Sequence, residues 1–145
     1  MGNQLILILI AIVAGVAITL QAQFMGVMDK QIGTMESVFI TYGSGGLLIG
    51  IAMLLHKGGG LSAWHTVPWY VLSTGILGLI IVAGIGYTTP RFGLVAAISI
   101  IVAAQFIAAA FMDHFGILGA ELRSLNLTRI SGMLIICFGV WLVIR

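Results

Sequence analysis

Five long apolar segments, separated by short polar ones, follow one another along the chain. A helix needs about 20 apolar residues to cross ~30 Å of hydrocarbon at ~1.5 Å per residue, and most of the segments reach or approach this length. The predicted helices cover residues 5–24, 38–55, 69–89, 92–112 and 128–144. The pattern therefore predicts an all-α integral membrane protein, with five transmembrane helices in one domain over residues 1–145.

The fourth segment, Phe92–Met112, contains no charged residue and a single amide, Gln105. Pro90 precedes it and should end the third helix, because proline has no N–H for a helical hydrogen bond. Asp113 follows it directly. A polar side chain within a spanning helix either lines a solute pathway or forms hydrogen bonds between helices. Both interpretations of Gln105 remain open.

Composition supports the membrane assignment and excludes several functions. Apolar residues make up 61% of the chain and charged residues 7%, with a mean hydropathy of +1.22, whereas soluble domains have roughly 25% charged residues. The lipid bilayer is thus an expected partner. The net charge of +2 without a cluster of basic residues predicts no nucleic-acid binding. The histidines lack metal-ligand spacing, and no nucleotide-binding motif is present, so we expect no metal, no cofactor and no enzymatic activity.

Basic residues divide equally between the two faces that five alternating helices would create. Orientation normally follows Lys and Arg in short loops. One face receives Lys57, Arg123 and Arg129, and the other receives Lys30, Arg91 and Arg145. Either the bias is weak and other factors fix one topology, or the chain inserts both ways. In the second case opposite copies pair as an inverted (antiparallel) homodimer of ten helices, the symmetry that inverted repeats give many transporters.

Four uncharged polar residues are candidates for binding a small-molecule substrate: Gln21, Tyr42, Tyr87 and Gln105. With the predicted helix bounds, Gln21 and Gln105 fall in opposite leaflets of one subunit. Inverting a partner brings its Gln105 into the same leaflet as Gln21, where Tyr42 and Tyr87 are also expected. A shared polar site therefore requires the antiparallel dimer.

Two acids, Asp113 and Glu36, are candidates for proton coupling. Asp113 lies eight residues after Gln105 and so shares its helix face. The alternative for Asp113 is a helix-end carboxylate paired with His114 or Arg123. The alternative for Glu36 is an ordinary residue of the first helical turn, where the helix dipole favours negative charge.

Several motifs resemble the small YdcZ-type branch of the drug/metabolite transporter superfamily. The shared residues are Trp69-Tyr70, Gly75 and Gly78, Thr89-Pro90-Arg91-x-Gly93, Ala103-Ala104-Gln105, Asp113-His114-Phe115-Gly116, Gly132 with Leu134, and Gly139-Val140, with a less sharp match through Gly15 and Gln21-Ala22. Met25 stands where such proteins often have Asn. The resemblance implies a five-helix, multi-pass protein of the bacterial cytoplasmic (inner) membrane. Some members of this branch are dual-topology homodimers, and others are paired or fused as two halves.

The leading hypothesis is a secondary transporter or facilitator of a small organic metabolite or drug, working by alternating access between two inverted copies. The alternative is a non-transporting membrane subunit that packs against a larger membrane complex. A membrane enzyme is a third and weaker hypothesis, because no nucleophile–base set stands out. The sequence predicts neither the substrate nor the direction of transport.

Overall fold

The structure is a computed structural model that describes residues 2–57 and 59–145. Five α-helices make up most of the described residues: α1 (Gly2–Ile32), α2 (Thr34–Leu55), α3 (Thr74–Phe92), α4 (Leu94–Phe115) and α5 (Leu127–Ile144). Short 3₁₀ helices cover Leu61–Thr66, Trp69–Ser73 and Ile117–Gly119. Each α-helix, the third together with the 3₁₀ turn before it, is long and apolar enough to cross a membrane. The predicted all-helical architecture with five candidate spans is confirmed.

The first helix extends well beyond its predicted end at Phe24. It continues through Ile32, and Gly33 is the one residue between α1 and α2. Gly33 has φ +98°, a conformation that glycine adopts without the steric cost of a Cβ atom. The 31 residues of α1 span about 46 Å, more than the hydrocarbon thickness. The polar segment predicted to separate the first two helices is therefore mostly helical, with residues 25–32 in the last turns of α1 and 34–37 in the first turn of α2.

The prediction that Pro90 ends the third helix was wrong. Pro90 lies inside α3, which continues to Phe92, and the break comes at Gly93 with φ +83°. A proline this close to a helix end removes a single hydrogen bond, the one to the carbonyl of Gly86, rather than disrupting a helix interior. The positive φ at Gly93, which other residues adopt only at a cost, is what separates α3 from α4.

The chain forms two compact units, Met1–Arg91 and Phe92–Arg145. In the first unit α1 packs against α2, and α1 also approaches α3 at two glycines. A Cβ atom on Gly26 would lie 3.0 Å from Cγ2 of Thr89, and one on Gly86 would lie 3.1 Å from Cε of Met25. Small residues permit such close backbone approach between membrane helices. In the second unit α4 packs against α5.

Few side chains of the described residues are buried, and most large apolar side chains are exposed. The buried apolar residues are Ala22, Met25, Val82, Ile85, Ala97 and Ala103, joined by the polar Ser37 and Thr89. A core this small could not keep a chain of this composition folded in water. Hydrocarbon is as apolar as these side chains, so the exposed faces suit a bilayer or a second protein surface within it.

Candidate functional site

A groove between α1 and α2 contains the first candidate residue, Gln21. The groove has a volume of about 390 Å³, and its lining is apolar except for Gln21, Thr41 and Ser44. The hydroxyls of Thr41 and Ser44 donate to carbonyls of their own helix, at 2.8 Å to Ser37 and 2.7 Å to Ile40. Their protons are used, so each hydroxyl offers acceptor lone pairs. The amide of Gln21 adds both donor and acceptor capacity.

Met25 also lines this groove and is one of the two largest fully buried side chains. It packs against Gly86, with its Cε atom 3.1 Å from the position of a Cβ there. The Met25 side chain therefore forms an apolar contact between α1 and α3.

The two candidate tyrosines lie outside the groove. The hydroxyl of Tyr42 sits so close to Gly78 on α3 that a Cβ atom at Gly78 would overlap it. The ring of Tyr87 lies under the guanidinium of Arg91, with Cζ 3.6 Å from the ring centroid. Each tyrosine thus has a contact of its own within the first unit, and the structure does not bring Tyr42 or Tyr87 beside Gln21.

A polar cluster at the ends of α1 and α3 was missed by the sequence analysis. Arg91 donates from one terminal nitrogen to the Asp29 carboxylate at 2.9 Å and to the Tyr87 carbonyl at 2.6 Å. The other carboxylate oxygen of Asp29 accepts a hydrogen bond from the hydroxyl of Thr34, at the start of α2. The Asp29 side chain is only 4% exposed, whereas that of Arg91 is 47% exposed. Asp29 therefore joins all three helices of the first unit.

Gln105 lies on α4 and is exposed. Because α4 runs from Leu94 to Phe115, Gln105 is at its middle rather than displaced towards Asp113 as the predicted bounds placed it. The expected separation of Gln21 and Gln105 into opposite leaflets is consequently not retained with the observed helix ends. A residue at the middle of a span stays near the same depth whichever way the chain inserts.

Asp113 pairs with neither of the partners expected from the sequence. Its carboxylate lies 3.7 Å from a terminal nitrogen of Arg129 in the first turn of α5, and both side chains are 38% exposed. His114 Nδ1 instead accepts from the backbone N–H of Leu125 at 3.3 Å. Arg123 pairs with Glu121 at 2.8 Å, and this hydrogen bond raises the pKa of the Arg123 guanidinium above its usual value.

The Asp113–Arg129 pair stands in a second groove of the molecule, between α4 and α5. This groove has a volume of about 350 Å³, and apart from the ion pair its lining residues are apolar: Phe106, Ala109, Ala110, Gly132, Met133 and Ile136. Gln105 is not among them. The structure therefore gives Asp113 a loose, partly exposed ion pair at a helix end, next to an apolar surface.

Glu36 lies in the first turn of α2 and is exposed. One carboxylate oxygen folds back to within 2.7 Å of where a Cβ on Gly33 would be. An acid at the N-terminal end of a helix is stabilised by the unpaired N–H groups and the dipole there. This geometry favours the structural interpretation of Glu36 over a role in proton coupling.

Comparison with known proteins assigns the family. The family described as "Putative inner membrane exporter, YdcZ" matches residues 6–142. The Inner membrane protein YdcZ of Escherichia coli (strain K12) is 26% identical over 146 aligned residues, which cover 99% of this chain and 97% of that protein. No solved structure matches the chain. The chain therefore belongs to the YdcZ family of multi-pass inner membrane proteins, as its motifs indicated.

Proposed function

We propose that this protein is a secondary transporter or facilitator of a small organic metabolite or drug, working by alternating access in an antiparallel dual-topology homodimer. The observation that carries the proposal is the groove between α1 and α2. Ligand sites of this kind are mostly apolar clefts of ~300–1,000 Å³ with a few placed polar groups. The groove has this volume and composition, with one amide and two hydroxyls in an apolar lining. The exporter description of its family agrees with this assignment.

Gln105 supplies the second polar element of the proposed pathway. Substrate sites of transporters built from inverted halves lie near the bilayer midplane, and Gln105 stands at the middle of α4. An exposed amide at this depth can hydrogen-bond a solute without competing water. Tyr42, whose hydroxyl contacts Gly78 on α3, acts on substrate only indirectly at this site, and Tyr87 lies apart from it against Arg91.

Uncovered glycines on α2 support pairing with a second copy. For Gly43, Gly46 and Gly50, no side chain of the described residues comes within 4 Å of a Cβ built there. Glycines spaced along one helix let another membrane helix approach closely. Inverted pairing is supported by the equal number of basic residues at the two faces, together with the odd number of candidate spans. With the observed helix ends, the positions of Gln21 and Gln105 along their helices no longer support inverted pairing.

The same glycines also favour the alternative function, a non-transporting subunit packed against a larger membrane complex. Purified protein reconstituted alone into proteoliposomes separates the two. A transporter takes up substrate with no other protein present, and a complex subunit does not. A stabilisation screen against metabolites and drugs identifies the compound to be used.

We predict that Gln105→Leu abolishes substrate uptake while leaving the amount of folded protein in the membrane nearly unchanged. Leu fills the same position without hydrogen-bonding capacity, and Gln105 is exposed rather than packed. Ser99→Ala, which removes the other uncharged polar side chain of α4, is the matched control and should retain uptake. If Gln105→Leu fails to assemble while its folded fraction still transports, Gln105 is a helix-packing residue instead.

The antiparallel dimer predicts that both orientations of the chain coexist. Ser62→Lys with Ala63→Lys, near Lys57, should fix one orientation, because one or two basic residues decide topology in short-loop proteins. This variant alone should be inactive, and a copy biased the other way by Gln31→Lys and an added C-terminal Lys should restore uptake on co-expression. Single cysteines introduced into each loop after Cys137→Ala report orientation by labelling in intact cells. If each loop were labelled from one side of the membrane only, with successive loops on alternating sides, the chain would have a single topology. That result would contradict the antiparallel dimer.

A further inference from the structure

The polar cluster of Asp29, Thr34, Tyr87 and Arg91 has the chemistry of a cation-binding site that is filled by the protein's own arginine. The Arg91 guanidinium meets a carboxylate at 2.9 Å, a backbone carbonyl at 2.6 Å and the face of an aromatic ring at 3.6 Å. Carboxylate, carbonyl oxygen and ring face each attract positive charge. We propose that Asp29 is the carboxylate of a binding site for small organic cations with a guanidinium-like head group, and that Arg91 is its tethered competitor.

The unequal exposure of the two side chains indicates which of them can leave. Arg91 is 47% exposed, so its guanidinium can turn into water with little loss of hydration. Asp29 is 4% exposed and is held by Thr34, so it stays in place when Arg91 departs. A buried carboxylate without a counter-charge is costly. A second cation that takes the place of Arg91 therefore favours its departure, so binding of a ligand and release of Arg91 are coupled.

The position of the cluster suits an entry site. Asp29 belongs to the last turn of α1, beyond the apolar stretch that we expect to lie in hydrocarbon, and Arg91 belongs to the last turn of α3. A cation from the aqueous phase can reach this level without crossing the bilayer core. The proposal rests on the transport function above and narrows its substrates to organic cations, although binding at the site can be measured without transport.

Chemical rescue tests the site with a probe that copies the arginine side chain. Arg91→Ala removes the competitor and leaves the carboxylate, Tyr87 ring and carbonyl in place. In purified Arg91→Ala protein, millimolar n-propylguanidinium should raise the melting temperature. Its apparent Kd should be at least about fivefold lower than for the unaltered protein, equivalent to ~1 kcal/mol, because no tethered group competes. Neutral n-propylurea, of similar shape, controls for non-ionic effects.

Two variants identify the residues responsible. The double variant Asp29→Asn with Arg91→Ala keeps an acceptor for Thr34, leaves no unpaired buried charge, and should lose the n-propylguanidinium effect. Arg145→Ala is the matched control, because the Arg145 guanidinium also lies over an aromatic ring, that of Trp141 at 5.1 Å, at the end of a helix. It should respond as the unaltered protein does. Equal stabilisation of Arg91→Ala and of the double variant, or no stabilisation of either, would overturn the proposal.

Uptake of labelled guanidinium into proteoliposomes separates this proposal from the transport function. If n-propylguanidinium stabilises Arg91→Ala but the unaltered protein does not take up guanidinium, the cation site is supported and its role in transport is contradicted. If the protein takes up some other solute but n-propylguanidinium does not stabilise Arg91→Ala, the transport function is supported and the cation site is contradicted. Uptake of guanidinium that Asp29→Asn abolishes supports both, provided that it is retained by Arg145→Lys, which keeps the number of basic residues at that face.

Discussion

The two compact units each contain an Asp–Arg pair, and the two pairs differ in closeness and in burial. Asp29 and Arg91 are 2.9 Å apart around a carboxylate that is almost fully buried. Asp113 and Arg129 are 3.7 Å apart, and more than a third of each side chain is exposed. Exposed ion pairs contribute about 0–1 kcal/mol, whereas removal of one partner of a buried pair costs about 3–5 kcal/mol. The same two residue types therefore form a close, buried contact between helices in one unit and a loose, partly exposed pair in the other.

Helix packing next to each pair accounts for the difference. Beside Asp29, α1 and α3 touch at Gly26 and Gly86, whose missing side chains leave room for Thr89 and Met25. Beside Asp113, a groove remains between α4 and α5, and among the described residues no atom of another helix lies within 4 Å of a Cβ built on Gly132. The close approach accompanies the low exposure of the Asp29 carboxylate, and the groove accompanies the greater exposure of Asp113.

The largest effect should come from removing the arginine of the buried pair. Arg91→Met should lower the free energy of unfolding by about 3 kcal/mol, the low end for a broken buried pair because Arg91 itself is half-exposed. Arg129→Met should lower it by less than about 1 kcal/mol. Denaturant unfolding of both variants in the same detergent measures the difference. Similar losses for the two would mean that burial of Asp29 does not set the strength of its pair.

The helix contact behind the buried pair is expected to have the next largest effect. Gly26→Ala places a methyl group 3.0 Å from Thr89 and 3.4 Å from Pro90, and such overpacking costs about 1–3 kcal/mol. Gly15→Ala on the same helix and Gly132→Ala in the second unit meet nothing within 4 Å and serve as controls. Both should be neutral or slightly stabilising, since Ala favours helix over Gly. Loss of stability in the controls but not in Gly26→Ala would contradict the α1–α3 contact.

The number of helices could be predicted from the sequence because it depends on local composition. Runs of apolar residues long enough to span a bilayer identify the helices wherever their partners lie. The same reasoning places the end of the first helix at Phe24, because Asp29 and Lys30 lie in the polar segment that follows the apolar run. A charged helical turn is stable when it lies beyond the hydrocarbon and its carboxylate has a partner. That partner, Arg91, is 62 residues away, and no local pattern indicates it.

The candidate site was predicted only in part for the same reason. Gln21 and Gln105 stand out in the sequence because a polar group is rare in an apolar run, and the structure places Gln21 in a groove and Gln105 at mid-helix. The partner of Asp113 was expected from nearby residues, yet it comes from the next helix at Arg129. Polar residues within spans can be recognised locally, but ion pairs between helices depend on packing. The breaks between consecutive helices do have a local signal, because each occurs at a glycine: Gly33 directly follows α1 and Gly93 directly follows α3.

The smallest effect on stability should be that of Asp113→Asn, and this makes it the most informative variant for proton coupling. We propose that Asp113 takes up the coupled proton, since a carboxylate that is exposed and loosely paired can exchange with water. Asn keeps the size of the side chain, so the free energy of unfolding should change by less than about 1 kcal/mol, as for an exposed pair. Uptake of substrate should lose its dependence on pH, which is measured in proteoliposomes with and without an imposed proton gradient.

Glu36→Gln is the matched control and should retain the pH profile, because Glu36 lies in the first turn of α2, where its charge stabilises the helix end. An unchanged pH profile in Asp113→Asn at a normal rate would make Asp113 an ordinary helix-end carboxylate, and the two Asp–Arg pairs would then differ in stability alone.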